Sequence, residues 1–132
     1  MILLDTHVLV WQEQGDRRLG RQARQTIARA LAEGQAAVSA ISFWEVGMRM
    51  QKGQLALRFE LAAWRRDLLD QGVIEIPVDG RVATRAGLLP DMHGDPADRL
   101  IVATALEGHT LITADERILA WPGKLDRLRA TE

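Results

Sequence analysis

The run Ala105-Leu106-Glu107-Gly108-His109-Thr110-Leu111-Ile112-Thr113-Ala114-Asp115 carries a helix end, a glycine stop, a β-like segment and an acid in succession. Glycine after a helix adopts the left-handed conformation without a Cβ clash. The helix before Gly108 opens on Asp95-Pro96, an N-cap followed by proline at the first helical position, and is predicted to run to Glu107. Thr110–Thr113 then reads as a strand. Gly34 closes a helical pattern over Gly20–Glu33, striped by Ala23, Ile27, Ala30 and Leu31, and precedes the apolar run Ala36–Ala40. Gly72 closes Phe59–Asp70, striped by Leu61, Trp64, Leu68 and Leu69, and precedes the strand-like Val73–Val78. Repeated helix–glycine–strand units predict βαβ crossovers and an α/β fold around a central parallel sheet. Met1–Leu4 supplies a further buried strand, closed by Asp5. Helices are also expected over Ile41–Gln51, capped by Ser39 or Ser42, and over Asp79–Leu89, ended by Pro90.

The 132 residues suit one domain over 1–132, with no repeat, linker or low-complexity tract. Absence of cysteine excludes a disulfide scaffold, a thiolate zinc site and a cysteine nucleophile. Lys+Arg total 17 against Asp+Glu 18, so no bulk polycation announces a nucleic-acid partner. Lys52 and Lys124 are the only lysines, and arginine alone among the cations grips carboxylate or phosphate in a bidentate fork. The first residues lack a basic and a long apolar region, and no stretch approaches the ~20 apolar residues of a membrane span. The expectation is a cytoplasmic protein with no membrane partner.

Acids stand where local rules disfavour them. Asp5 and Asp115 each follow an apolar run, and in an open parallel sheet ligands bind beyond the carboxyl ends of strands. Glu45 falls on the helical stripe marked by Ile41, Trp44 and Met48, where a carboxylate costs several kcal/mol unless paired. Asp98 shares a face with Ile101, Val102 and Ala105. Taken singly, these are a turn or cap, a rim or salt-bridged glutamate, and a charge favourable to the helix dipole. Together they suggest one site. Oxygen ligands without cysteine or paired histidines select Mg²⁺ or Mn²⁺, and no EF-hand loop favours calcium. Carboxylate-held metal at a crevice is apparatus for phosphoryl transfer. His7 and His93 are the histidines placed to line the crevice; His109 opens a strand. Trp11, Trp44, Trp64 and Trp121 read as core or interface residues, with Trp11 near enough to the mouth to stack a base. The arginines at 17, 18, 21, 24 and 29 read as a solvated face, and no P-loop or G-x-G-x-x-G is present.

Four blocks of the chain resemble the acidic blocks of PIN-domain ribonucleases, and more narrowly the VapC-type toxins of bacterial toxin–antitoxin pairs. They are Leu3-Leu4-Asp5-Thr6-His7 with Val8-Leu9-Val10-Trp11, Ser39-Ala40-Ile41-Ser42-Phe43-Trp44-Glu45-Val46, His93-Gly94-Asp95-Pro96-Ala97-Asp98-Arg99 through Ala105, and Leu111-Ile112-Thr113-Ala114-Asp115. The resemblance implies a Rossmann-like α/β/α sandwich and an Mg²⁺-dependent endoribonuclease, with Mn²⁺ as substitute. It implies that Asp5, Glu45, Asp98 and Asp115 are the catalytic acids, that Asp5, Asp98 and Asp115 hold metal, and that Thr6, Thr113 and Asp95 support them. It implies an RNA substrate, a small antitoxin encoded beside the toxin, a homodimer and a toxin–antitoxin hetero-oligomer. The helices bearing Trp44 and Met48, and Trp64, Leu68 and Leu69, are candidate surfaces for that partner. Ala114 stands where many relatives carry a basic or polar residue, and Trp121 where tyrosine is common. Two rival readings are a non-catalytic PIN-like binding module and a receiver-like phosphoacceptor. The latter wants an acidic pair after the first strand, where Asp5 stands alone.

Overall fold

The computed structural model describes residues 1–132. In chain order the elements are β1 (Ile2–Leu4), α1 (Thr6–Gln14), α2 (Arg21–Ala32), β2 (Ala36–Ser39), α3 (Ala40–Gln51), α4 (Leu61–Asp70), β3 (Ile74–Ile76), α5 (Gly80–Leu88), α6 (Pro96–Ala105), β4 (Thr110–Thr113), α7 (Glu116–Leu119) and β5 (Arg127–Arg129). The five strands form one sheet in the order β3-β2-β1-β4-β5, and every pairing is parallel. Gly34 and Gly108 adopt φ of 68° and 100°, the left-handed turn that lets each helix stop and the next strand begin.

Side chains alternate across a strand, so a sheet covered on both faces is apolar at every position. The central strands show this directly. Leu3, paired with Ala37 and Leu111, faces one layer with Val82, Ala86, Ile101, Val102 and Ile118 of α5, α6 and α7. Leu4, paired with Val38 and Ile112, faces the other with Val8, Leu9, Ile27, Val46 and Trp64 of α1 to α4. The result is an α/β/α sandwich, as expected. The chain winds outward from β1 to β3, then returns to the opposite side of β1 as β4. The boundary between β1 and β4 is therefore a topological switch point, where a crevice opens at the strands' carboxyl ends.

Three features depart from the sequence reading. Residues 6–14 form α1 although Val8-Leu9-Val10 shows no helical spacing, because the helix is buried on more than one side: Thr6, Val8, Leu9 and Val10 are all buried. The one-turn α7 and the strand β5 also escaped periodicity. β5 has the sequence Arg127-Leu128-Arg129, an edge strand whose arginines give it no apolar signature. The core face of α3 is Ser42, Phe43 and Val46, not the stripe through Ile41, Trp44 and Met48; Trp44 is 54% exposed and Met48 37%. Ser42 turns inward because the Thr6 hydroxyl donates to its Oγ at 2.8 Å, which satisfies a polar group that sequence alone places outside. Trp64 and Leu68 are core residues, so of the two candidate partner surfaces only the α3 one lies open.

Candidate active site

Asp5 ends β1 and caps α1, only 2% exposed. Its Oδ1 accepts from the Thr6 backbone N–H at 2.8 Å, and its Oδ2 accepts from the Thr113 hydroxyl at 2.7 Å. Thr113 Oγ1 also accepts from the Asp115 N–H at 3.0 Å, so one hydroxyl at the end of β4 fixes the strand-end acids on both sides of the switch point. Asp115 caps α7, its Oδ1 accepting from the Arg117 N–H at 2.8 Å. The hydroxyl pair Thr6–Ser42 links α1 to α3, and Glu45 lies one turn beyond Ser42.

Asp98 sits in the first turn of α6, 7% exposed. The helix is started by Asp95, whose Oδ1 accepts from the Asp98 N–H at 3.0 Å, so the capping role read from Asp95-Pro96 is the one observed. Asp98 Oδ2 lies 2.7 Å from His93 Nε2 and 3.5 Å from Arg117 Nη2. Arg117 Nη2 is also 3.5 Å from Asp115 Oδ2. Potential ligand atoms of His93, Asp98 and Asp115 all lie within 4.8 Å of one another. Asp5 is outside that tightest group, facing it across the switch point with both oxygens engaged. Glu45 Oε2 is 3.4 Å from Arg49 Nη2, while its Oε1 is buried without a hydrogen-bond partner.

The electrostatics tie the acids into one field. Burial pushes the Asp5 carboxyl up to about 6; the Thr113 and Thr6 hydrogen bonds oppose this, and the charges of Glu45 and Asp115 add to it. Burial likewise pushes Asp98 up to about 6, against the His93 hydrogen bond and with help from Asp5, Asp95 and Asp115. Asp115 is held below the usual carboxylate range, because the Arg117 backbone and guanidinium outweigh its partial burial. Burial lowers His7 despite the surrounding acids. Its Nε2 accepts from the Ala114 N–H at 2.9 Å, so His7 is a neutral ring bracing the end of β4.

This donor set fits a hard divalent cation. The crevice gathers more carboxylate charge than the exposed Arg117 and Arg49 neutralise, and Glu45 Oε1 is a buried acceptor lacking any donor. Carboxylate oxygens with one imidazole suit Mg²⁺ or Mn²⁺.

Sequence reasoning gave His93 a place at the crevice but no partner, and gave Arg99 no role. The Arg99 guanidinium donates to the carbonyls of Ala86, Gly87, Leu89, Met92 and His93, at 2.9, 3.2, 3.0, 2.9 and 3.3 Å. Trp121 Nε1 donates to Pro90 O at 2.8 Å. Together they fasten the loop from α5 to His93. The available signal was the position of Arg99, directly after Asp98 in an acid-rich helix start.

A parallel sheet with acids converging at its switch point is the pattern expected of a PIN domain, and the chain belongs to that family: residues 2–123 match the PIN domain. Over 119 residues the chain is 37% identical to Ribonuclease VapC22 of Mycobacterium tuberculosis (strain ATCC 25618 / H37Rv), covering 89% of this chain and 88% of that protein. Among solved structures, a toxin-antitoxin complex from Klebsiella pneumoniae aligns with a TM-score of 0.64 and 22% identity over 98% of both chains. VapBC2 from Rickettsia felis, bound to a DNA fragment from their promoter, aligns at 0.68 and 19% identity over 97% of this chain and 98% of that one. FitAcB from Neisseria gonorrhoeae aligns at 0.57 and 22% identity over 89% of each. These three share the fold.

Proposed function

We propose that this chain is a divalent-metal-dependent endoribonuclease and the toxin half of a toxin–antitoxin pair. The observation that carries the reading is the convergence of Asp5, Glu45, Asp98 and Asp115 at the switch point, with Glu45 Oε1 buried and unpartnered. The 37% identity to a protein named as a ribonuclease supports the same chemistry. Asp5, Asp98 and Asp115 would hold Mg²⁺, with Mn²⁺ as substitute, and His93 is a further candidate ligand. A bound cation of this kind supplies Lewis acidity to a scissile phosphate and a water made nucleophilic at neutral pH.

The chain's own residues supply the positioning. Thr113 orients Asp5 and fixes the Asp115 backbone; Thr6 anchors α1 beneath Glu45 through Ser42; His93 fixes the Asp98 carboxyl; Asp95 holds the start of α6. Hydrolysis by water needs no ribose 2′-hydroxyl and so forms no 2′,3′-cyclic phosphate; with the 3′-oxygen as leaving group, taking up a proton as its bond to phosphorus breaks, the expected ends are a 5′-phosphate and a 3′-hydroxyl. The likeness to a structure named as a toxin-antitoxin complex supports a small antitoxin as partner; a homodimer and a toxin–antitoxin hetero-oligomer belong to the same proposal. No helix is long and apolar enough to cross a membrane. The direct test is cleavage of a structured RNA by partner-free protein. Activity with Mg²⁺ or Mn²⁺ that vanishes with chelator supports the reading, and activity persisting under complete chelation refutes it.

A further inference from the structure

Beside the acid site the chain forms a separate pocket of about 300 Å³, lined in part by His7, Trp11 and Gln14 of α1, Arg18 beyond it, Arg49 of α3 and Gln54 of the following turn. Two of these residues join it to the acids. His7 Nδ1 is 3.8 Å from Asp5 Oδ2, and Arg49 Nη2 is 3.4 Å from Glu45 Oε2. The pocket and the acid cluster are thus neighbouring compartments sharing a wall. The Trp11 indole packs 5.1 Å from the His7 ring, and the Arg18 guanidinium lies 4.7 Å over it, held by Asp16 at 2.7 Å. A planar platform, cations and primary amides surround one small volume.

We infer that this pocket receives an unpaired nucleobase of the RNA, from a nucleotide adjoining the scissile phosphate. Trp11 with Arg18 forms the stacking platform, Gln54 and the Oε1 of Gln14 read the base edge, the Gln14 Nε2 donating to the Ala56 carbonyl at 3.2 Å, and Arg49 stands toward the backbone phosphate. The inference rests on the ribonuclease reading of the acid site and names the determinant of its sequence preference. Every base has a π-face that stacks on an aromatic or guanidinium plane, and a carboxamide offers both donor and acceptor to a base edge. A protein segment is the less suited occupant. Six of the nine lining residues are polar, and the exposed large apolar side chains, Trp44 and Met48 of α3 among them, stand outside the pocket.

The test uses single-stranded oligoribonucleotides carrying one abasic nucleotide at successive positions, with wild-type protein, Trp11→Leu and Gln54→Ala. Cleavage is followed with Mn²⁺, and binding is followed in parallel by anisotropy with chelator present. For wild type, an abasic nucleotide at one position beside the cut should weaken binding and raise KM by roughly ten- to hundred-fold, the range of one lost base stack. Trp11→Leu should raise KM to a similar degree and flatten that position dependence, with Mn²⁺ affinity unchanged. Trp11 packs partly against the core, so Gln54→Ala, in an exposed turn, provides the second variant: it should change which base is preferred at that position. A flat abasic scan, or an unaltered base preference in Gln54→Ala, overturns the subsite even if cleavage proceeds. A position-specific loss of binding without any cleavage sustains the subsite and sinks the ribonuclease reading. A folded Trp11→Leu that binds RNA as wild type but no longer retains a co-expressed partner assigns the pocket to protein recognition and overturns the proposal.

Discussion

His93 Nε2 lies 2.7 Å from Asp98 Oδ2, and the carbonyl of the same histidine accepts from Arg99, the residue next to that aspartate. One short loop is therefore clamped to α6 at both its backbone and its ring. Groups that orient a ligand's carboxylate, or join it as a ligand, typically change metal affinity by ~10–100-fold. His93→Ala should weaken Mn²⁺ binding by that order in calorimetry of the partner-free protein. His93→Gln, which retains a donor, should recover part of the loss. Equal affinity in all three proteins would remove His93 from the site.

The pH behaviour of the metal-free protein follows from Asp5. Its folded pKa, about 6, lies above the unfolded carboxylate value of 3.8. The folded state therefore holds its proton more tightly, and the stability this contributes is complete below about 3.8 and lost as pH rises through about 6. Asp5→Asn removes the penalty of a buried charge. At about 1.4 kcal/mol per pKa unit, less the cost of a worsened bond to Thr113, it should stabilise the metal-free protein by roughly 1–3 kcal/mol at pH 7.5. That advantage should shrink as pH falls to 5, and the variant should lose the thermal shift given by Mn²⁺. Matched melting curves across pH for both proteins provide the measurement. A variant that is less stable at pH 7.5 would make Asp5 a structural cap.

Arg99 makes a different kind of demand. Its planar fork reaches five carbonyls around the end of α5, which the single point of a lysine ammonium does not span. Leaving partly buried carbonyls unpaired costs about 1–3 kcal/mol each before relaxation. Arg99→Lys should destabilise by roughly 2–3 kcal/mol in denaturant unfolding. Because the loop carries His93, Mn²⁺ affinity should fall as well. Unchanged stability would mean that Trp121 alone secures the loop.

What the sequence revealed depended on whether a residue's setting was local. Gly34, Gly72 and Gly108 announced the crossovers because a left-handed stop is a one-residue requirement. Asp98 was legible as an acid on an apolar helical stripe, and it is buried there. Glu45 stands out through a stripe of which Ile41 packs against the core while Trp44 and Met48 face outward; its own Oε1 is buried at the site, and Ser42 on the inward face carries no hydrophobic signal. The helix at 6–14 and the strand at 127–129 were hidden because tertiary packing and edge pairing, not periodicity, decide them. His93–Asp98, Arg117 and the Arg99 clamp belong to contacts made only once the loop has folded back.

The remaining prediction concerns how a partner would silence the site. Trp44 and Met48 are open on α3, and they border a groove of about 290 Å³ that also takes in Glu45, Asp95, Pro96 and Ala97. A chain covering those side chains lies at the rim of the acid cluster. A basic side chain projecting from it would satisfy the carboxylates in place of a metal, since charge-assisted bonds to buried acids are strong. A co-purified complex should therefore bind Mn²⁺ far more weakly than the free chain. Trp44→Ala with Met48→Ala should weaken association by roughly 2 kcal/mol or more, the scale of a buried aromatic anchor. The same pair should leave cleavage by the free protein intact, because neither side chain is hydrogen-bonded to an acid of the cluster. Replacing the partner's inserted basic residue with alanine should restore Mn²⁺ binding and cleavage while much of the association survives. If the complex binds Mn²⁺ as well as the free chain does, the partner acts by excluding RNA and not by occupying the acids.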